Sequence, residues 1–246
     1  MSAGFADHFS HDSAGYAAHR PTYPAELVEF LAANAPAHEL VWEAGCGSGQ
    51  LSLLLAERFE RVVATDASAQ QIAAAQPHPR VEYRVAPAEA SGLPAHCADL
   101  VVAAQAAHWF DLEGFYAEAK RVAKPGALLA LVSYGKTRIA SDLDPLVDEF
   151  HDRTLLGYWP SERAHVVDGY ARLAFPFERL PVPELAIERE WGVEEMLAYV
   201  HTWSGVVALL RAGKSAELER FERELRAAWG ARRRVRWPLT VLAARL

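Results

Sequence analysis

Cysteine is scarce in this 246-residue chain, which contains only Cys46 and Cys97. Two cysteines without metal-ligand spacing exclude a disulfide framework and a cysteine-rich metal site. No apolar run approaches the ~18 residues that a transmembrane helix needs, so the sequence predicts no membrane partner. The residues after Met1 have neither a basic region nor an apolar core. This start predicts no secretory signal, and we expect a cytoplasmic protein.

Positive charge is also in short supply, with 25 lysines and arginines against 32 aspartates and glutamates. The resulting net charge of −7 argues against nucleic-acid binding and favours a small-molecule substrate. A hydrophobic content of 51% fits a globular protein that buries a core. We expect one domain over residues 1–246, as a monomer or homodimer. Its predicted parts are an N-terminal segment (1–24), a core (25–134), insertions (135–215) and a final helix and edge strand (216–246).

The most informative stretch runs from Leu40 to Gly49 and combines an apolar strand, an acid and a glycine-rich turn. Apolar residues at helical spacing follow it directly. Strand, glycine turn and helix form the geometry of a nucleotide-type site at the carboxyl edge of a parallel sheet. Gly45 permits a tight turn, and the missing side chain at Gly47 lets a ligand approach the backbone. The helix start offers N–H groups to an anionic group.

The glycine spacing separates two classes of ligand. A dinucleotide fingerprint has its third glycine at the sixth position, where this chain has Gln50. Glu43 followed by Gly-x-Gly-x-Gly instead resembles the first motif of class I S-adenosylmethionine-dependent methyltransferases. The resemblance implies that Glu43 handles the ammonium group of S-adenosylmethionine. It also implies cofactor contacts from the turn residues Gly45, Cys46, Gly47 and Gly49.

A second acid ends the next predicted strand, Arg61–Asp66. An acid about 20 residues past the glycine turn can accept both ribose hydroxyls of a nucleotide-type cofactor. Asp66 and its neighbour Ala67 are therefore predicted to contact the cofactor. The alternative is that Asp66 caps a helix over residues 67–75.

The loop after a third predicted strand, Val81–Val85, holds the adenine in the family that this chain resembles. The resemblance places Ala88 and Glu89 at the adenine. Many relatives have an aspartate where this chain has Pro87. The alternative for Glu89 is a solvated loop charge.

A fourth predicted strand, Asp99–Ala104, runs into Gln-Ala-Ala-His-Trp-Phe-Asp. This segment resembles the methyltransferase type 11 group, nearest to trans-aconitate methyltransferase-like proteins. It implies cofactor contacts from Gln105 and Ala106 beside the methyl group. His108 is the candidate catalytic base or substrate donor, because the free pKa of histidine lies near neutrality. The alternative is a structural histidine packed under Trp109.

The N-terminal pattern Tyr16…Arg20-Pro21…Tyr23-Pro24 resembles a segment that closes the cofactor site in the same subgroup. The resemblance implies a lid in which Tyr16 and Arg20 contact the cofactor. The alternative is a frayed end with anchoring aromatic residues. The histidines of this segment lack the fixed spacing with a carboxylate that a metal site needs, so we predict no metal.

From about residue 135 the alternation of strands and helices stops, which predicts a substrate cap. We expect helices over residues 139–156, 193–210 and 215–229, and strands over 185–187 and 235–246. Five aromatic residues are candidates for an apolar acceptor chamber, although each alone fits a core position: Trp109, Phe110, Tyr134, Trp159 and Trp203. The basic run 232–236 is either a solvated strand entry or a contact for an anionic substrate.

Together these features predict an α/β, Rossmann-like methyltransferase fold. Its sheet would have seven mostly parallel strands, the last one antiparallel, with helices on both faces and a helical cap. The resemblance implies methyl transfer from S-adenosylmethionine to a small molecule, with a carboxylic acid as the leading acceptor. Alignment and desolvation would supply the acceleration of an in-line displacement. The alternatives are a non-catalytic methyltransferase-like binding protein and a nicotinamide-dependent oxidoreductase, which Gln50 disfavours.

Overall fold

One sheet of seven strands organises the chain, in a computed structural model that describes residues 21–246. Its spatial order is β3-β2-β1-β4-β5-β7-β6. Neighbouring strands from β3 to β5 are parallel, whereas β7 is antiparallel to both β5 and β6. The strands are β1 (Leu40–Ala44), β2 (Arg61–Asp66), β3 (Val81–Val85), β4 (Ala98–Ala104), β5 (Ala123–Tyr134), β6 (Ala186–Trp191) and β7 (Arg233–Arg245). The predicted fold is confirmed.

The helices fall into an early set between the parallel strands and a late set in the second half of the chain. The early set is α1 (Ala25–Asn34), α2 (Gln50–Leu55), α3 (Ala69–Ala73), a 3₁₀ turn (Ala107–Trp109) and α4 (Leu112–Val122). The late set is α5 (Asp144–Glu149), a π-helical turn (Phe150–Thr154), α6 (Arg163–Val167), α7 (Val193–His201), α8 (Ser204–Arg211) and α9 (Ser215–Trp229). Within residues 21–246, no helix has the length and hydropathy to cross a bilayer.

The central strands are apolar on both sides because helices cover both faces of the sheet. One face packs under α1 and α2, where Leu27, Leu31 and Leu55 are fully buried. The other face packs under α4, where Phe115 is fully buried. A third cluster lies in the second half of the chain, where Phe221 of α9 stacks on Phe150 with centroids 4.1 Å apart.

The Lys-Pro-Gly sequence at residues 124–126 predicts a turn before the fifth strand, but in the structure β5 already includes these residues. The strand begins at Ala123, and the pairing with β4 shifts register between Ala98 and Leu100. Gly126 has a φ of +79°, which only glycine adopts readily. The predicted turn is therefore an irregularity inside one long strand.

Two predicted helices of the second half are shorter than expected. The helix predicted from residue 139 begins at Asp144, because Pro145 fits the first turn of a helix but not its interior. The segment 193–210 contains two helices, since Thr202 Oγ1 donates to the Tyr199 carbonyl and Trp203 is extended. This break leaves the Trp203 side chain buried in the third cluster.

The basic run at the start of β7 is solvent-accessible and pairs with carboxylates. Arg232 pairs with Glu195, Arg233 with Asp142, Arg234 with Glu188 and Glu190, and Arg236 with Glu184 and Glu188. Such exposed pairs contribute little stability, but they balance the charge of the run. The run is therefore a neutralised strand entry.

Candidate active site

The candidate site lies where the chain leaves β1 and β4, the two neighbours at the centre of the sheet. From β1 the sheet grows towards β2 and β3, and from β4 it grows towards β5. Loops after two such strands diverge and open a crevice at their carboxyl ends. The glycine turn follows β1, and the segment Gln105–Asp111 follows β4. The topology therefore brings together the two segments that carry the sequence motifs.

Aromatic rings pack directly against two glycines of the turn. At Gly45, with a φ of +67°, a Cβ atom would lie 3.0 Å from Phe110 Cζ. At Gly49, with a φ of +83°, it would lie 2.7 Å from Tyr83 Cε1. At Gly47 the nearest atom would be Gln71 Oε1, at 3.7 Å. The turn is thus supported from behind, while the backbone at Gly47 has room for a ligand.

Asp66 ties the end of β2 to the glycine turn. Its Oδ2 accepts a hydrogen bond from the Gly47 N–H at 2.8 Å, and its Oδ1 accepts one from the Ser68 N–H at 2.8 Å. The cap of α3 is Ser68, whose Oγ accepts from the Gln71 N–H at 3.3 Å. The alternative role of Asp66 as a helix cap is therefore wrong, and its carboxylate belongs to the crevice.

Glu43 ends up beneath the turn with 2% of its surface exposed. Ser52 Oγ, on the first turns of α2, donates a hydrogen bond to Glu43 Oε2. The pKa of Glu43 is raised to about 8, chiefly by burial and in addition by the nearby Asp66 carboxylate, against the opposing effect of the Ser52 hydrogen bond. A carboxyl group with such a pKa takes up negative charge when a cation arrives beside it. Burial also raises the pKa of the Cys46 thiol, which stays protonated.

The segment after β4 crosses the other side of the crevice. Gln105 has a φ of +54°, a strained conformation for a residue with a side chain. Its backbone N–H donates to Val132, and its Nε2 donates to the Tyr134 carbonyl at 2.8 Å. Ala106 is buried against Gly45. Both residues lie beside the turn as predicted, but the Gln105 amide is bound to β5.

The predicted adenine residues lie on the same edge of the sheet. Ala88 is buried, and Ala67 after β2 is exposed. Glu89 Oε1 accepts a hydrogen bond from the Asp111 N–H at 3.1 Å, and its side chain packs over Gly114 of α4. Glu89 is therefore not the solvated loop charge of the alternative. Its contact with adenine stays a prediction.

His108 is placed on the 3₁₀ turn, where its Nδ1 lies 3.1 Å from the Tyr170 hydroxyl and its ring is 5.0 Å from that of Trp109. The pKa of His108 is lowered to about 3, chiefly by burial and in addition by Arg163 and His165. This pKa lies well below that of free histidine, and the role of His108 in catalysis stays a prediction. His108 is a neutral hydrogen-bonding group in this structure and a weak base.

The five aromatic candidates make four separate sets of contacts. Phe110 packs under Gly45 and against Phe115, with centroids 5.1 Å apart. Tyr134 meets Tyr23 edge to face, and Trp109 lies beside His108. Trp159 and Trp203 meet each other, with centroids 6.0 Å apart. A single chamber walled by all five stays a prediction, and Phe110 additionally supports the glycine turn.

Several residues of the crevice and of the segment 135–215, which we call the cap, belong to no motif in the sequence. Ser52 has a detectable signal, since it is a polar residue on the buried face of the helix after the glycine turn. In the sequence, nothing distinguishes Tyr83 and Tyr170 from other aromatic residues of strands and loops. Arg163 and His151 lie in short irregular helices without periodicity. Tyr16 and Arg20 lie outside the described residues, and residues 21–246 contain no group of three metal-ligating side chains.

Comparison with known proteins gives a consistent result. A family model described as a methyltransferase domain matches residues 42–131. A candidate methyltransferase of Dictyostelium discoideum is 34% identical over 229 residues, covering 92% of this chain and 87% of the relative. The match spans the crevice and most of the second half.

Solved structures extend the comparison to three dimensions. A candidate type II methyltransferase of Anaeromyxobacter dehalogenans is 48% identical, with a TM-score of 0.87, over 92% of this chain and 97% of its own. A candidate methyltransferase of Bacillus halodurans is 19% identical, with a TM-score of 0.52, over 90% of this chain and 97% of its own. The second similarity shows the fold alone.

Proposed function

The chain belongs to the class I S-adenosylmethionine-dependent methyltransferases, and from this premise we propose that it methylates the carboxylate of a small acid. When bound, S-adenosylmethionine supplies a methyl group that its sulfonium charge activates. The chain's own residues then have to hold the cofactor, orient the acceptor and exclude water.

The observation that carries the cofactor part is the hydrogen bond between the Gly47 N–H and Asp66 Oδ2. It joins the glycine turn and the second acid into one cradle, and the backbone at Gly47 has room for a ligand. We assign the ribose hydroxyls to Asp66 and the ammonium group to Glu43, whose buried carboxyl group gains a compensating cation.

The carboxylate acceptor is supported by the chemistry of His108. An acceptor with a proton to lose needs a base that is matched to the working pH. A histidine with a pKa of about 3 is too weak for that task near neutrality. A carboxylate attacks without losing a proton, so His108 need only donate a hydrogen bond. The resemblance of residues 105–111 to trans-aconitate methyltransferase-like proteins favours the same class of acceptor.

The test is incubation of the protein with methyl-labelled S-adenosylmethionine and a metabolite extract. We expect label in a base-labile methyl ester, and no label with the Asp66→Ala variant. Thermal unfolding with S-adenosylhomocysteine or NADH separates the other readings. Stabilisation by S-adenosylhomocysteine without label transfer would favour a non-catalytic binding protein, and stabilisation by NADH alone would favour an oxidoreductase.

The proposal extends to the location, the oligomeric state and the type of acceptor. We propose a cytoplasmic monomer or homodimer that acts on small molecules and not on nucleic acid. The net charge of −7 supports the choice of a small-molecule acceptor. Size-exclusion chromatography with light scattering would measure the oligomeric state.

A further inference from the structure

One guanidinium in the second half of the chain is enclosed by aromatic and imidazole rings. Arg163 Cζ lies 4.8 Å from the centroid of the Trp159 ring, and Nη2 lies 3.4 Å from His151 Nε2. The His151 and Trp159 rings are 4.6 Å apart, and the Trp203 ring is 5.4 Å from His151. We call these four residues the Arg163 cluster. They come from a π-helical turn, a loop, α6 and the segment before α8.

A hydrogen-bonded chain behind the Arg163 cluster fixes the guanidinium. Asp152 Oδ1 lies 2.8 Å from His151 Nδ1, and Asp152 is also paired with Lys136. A carboxylate at Nδ1 makes that nitrogen the protonated one, so Nε2 accepts from Arg163. His151 is 3% exposed and acts as a positioning residue in this chain. The orientation of Arg163 is thus determined by His151 and, through it, by Asp152.

The Arg163 cluster lies beside the segment that follows β4. Helix α6 packs on the 3₁₀ turn that carries His108, and Tyr170 after α6 bonds His108 Nδ1. After burial, the Arg163 guanidinium is the next largest influence on the pKa of His108, which it lowers. The charge of Arg163 therefore acts on the segment that carries His108.

Among the buried polar atoms that have no hydrogen-bond partner within residues 21–246, one lies in the Arg163 cluster and one on α6. They are Trp203 Nε1 and His165 Nδ1. An indole N–H is a donor only, and an imidazole nitrogen is a donor in one tautomer. Because buried polar groups are nearly always satisfied in native proteins, these atoms indicate a ligand that brings acceptor oxygens.

We propose that the Arg163 cluster binds the carboxylate of the acceptor, with Arg163 as the residue that selects an acid over its neutral analogues. This inference rests on the proposed function and specifies the acceptor side of the same site. A carboxylate satisfies a guanidinium and a neighbouring N–H donor together, with charge-assisted bonds. The flat face of Trp159 covers the other side of the guanidinium, which limits competition from water.

The reaction changes the charge that Arg163 recognises. A carboxylate oxygen forms the new O–CH₃ bond while the S–CH₃ bond breaks, and the bonding electrons of that bond remain on sulfur. The acceptor loses its negative charge and becomes a neutral ester, and S-adenosylhomocysteine leaves with a neutral thioether. The ester has no charge for Arg163 to hold. The cluster should therefore bind the acid better than its methylated product.

The experiment uses the full chain saturated with S-adenosylhomocysteine. Benzoate, cinnamate, succinate and fumarate are titrated by calorimetry beside their primary amides and methyl esters. We expect at least one acid to bind at least tenfold more tightly than its amide and its ester. Arg163→Gln should remove that preference, and Arg163→Lys should retain part of it, because lysine keeps the charge but loses the planar fork.

The control is Arg153→Gln, a variant of an arginine in the same cap whose side chain is 79% exposed. It should change neither preference nor affinity. All three variants should keep the wild-type affinity for S-adenosylhomocysteine, which also shows that they are folded. Equal affinity of every acid and its amide, including no measurable binding of either, overturns the inference. Unchanged discrimination in Arg163→Gln also overturns it. Failure of the wild type to bind S-adenosylhomocysteine would instead refute the proposed function.

Discussion

The crevice at the sheet edge is formed mainly by backbone groups, whereas the cap around Arg163 is formed by side chains. In the crevice the contacts are mainly with backbone groups, and the Asp66 carboxylate accepts hydrogen bonds from the N–H groups of Gly47 and Ser68. In the cap, long side chains from separate segments meet, as Arg163 does with His151 and Trp159. A backbone site keeps one geometry in many relatives, whereas a side-chain site can change its ligand by single substitutions. The first fits a shared cofactor and the second a specific acceptor.

The two regions also carry opposite charge. The crevice has the acids Asp66 and Glu43, the latter becoming charged when a cation binds beside it, and the cap presents Arg163 to His108. Opposite fields on two sides of one site suit a cationic cofactor and an anionic acceptor, because each ligand is repelled from the wrong side. The predictions below test this division, starting with the change that should cost the most.

The largest effect is expected from Asp66→Ala, which removes the acid that joins β2 to the turn. Hydrogen bonds to a charged group contribute about 1.5–3 kcal/mol each, so losing two ribose contacts should weaken cofactor binding by at least 100-fold. Calorimetry with S-adenosylhomocysteine measures this loss. The control Asp142→Ala removes a surface carboxylate that pairs with Arg233. Equal affinity in wild type and Asp66→Ala would show that the crevice does not recognise the ribose.

The second-largest effect is expected from Gly45→Ala, which should lower the free energy of unfolding by crowding the turn. Its Cβ would press on Ala106 and lie 3.0 Å from Phe110 Cζ, at a φ of +67°. Overpacking of this kind costs about 1–3 kcal/mol. Gly213→Ala is the matched control, because Gly213 has a φ of +73° but nothing within 4 Å of the added atom. Denaturant unfolding of both variants separates crowding from backbone strain, and equal losses would show that the turn is not tightly supported.

Glu43→Gln should remove the pH dependence that Glu43 gives to the free energy of unfolding. The folded-state pKa of Glu43 is raised from 4.5 to about 8. Its contribution to stability is therefore fully present below pH 4.5 and is lost as the pH rises through about 8. The loss is at most about 1.4 kcal/mol per pH unit in that window. Unfolding free energies from pH 5 to 9 should show the variant gaining stability relative to wild type.

The same substitution should have the opposite effect on ligand affinity. A cationic ligand favours the ionised form of Glu43, so wild-type affinity for S-adenosylmethionine should increase from pH 6 to 9. In Glu43→Gln the affinity should be weaker and nearly independent of pH. A pH-dependent affinity that survives the substitution would assign the titration to another group.

The crevice could be predicted from the sequence because its determinants are local. A strand, an acid and three glycines within ten residues specify a turn, and Asp66 follows at the spacing of the next parallel strand. The bond from Ser52 to Glu43 spans nine residues and follows from the same unit. What spacing could not reveal was the burial of Glu43, because the raised pKa depends on tertiary packing.

The cap could not be predicted in the same way. Arg163 sits in a helix of five residues, too short for periodicity to show. Its partner His151 comes from a π-helical turn inside a segment predicted as regular helix. The lowered pKa of His108 could not be predicted either, since it depends on burial and on Arg163, which lies far away in sequence. Trp159 and Trp203 were identified as candidates by residue type, but the contact of Trp159 with the Arg163 guanidinium required the fold.

His108→Ala should produce the smallest effect on binding and the clearest test of the cap. With the pKa of His108 at about 3, the wild-type profile of kcat/KM against pH should show no inflection near 6.5. The variant should keep cofactor affinity while turnover falls, because the acceptor loses a hydrogen-bond donor. His108→Gln should recover part of the turnover, since its amide can still donate. An inflection between pH 6 and 7 that disappears in both variants would make His108 a general base. An acceptor that loses a proton would then replace the carboxylate, and the opposition of charge between crevice and cap would no longer explain the choice of substrate.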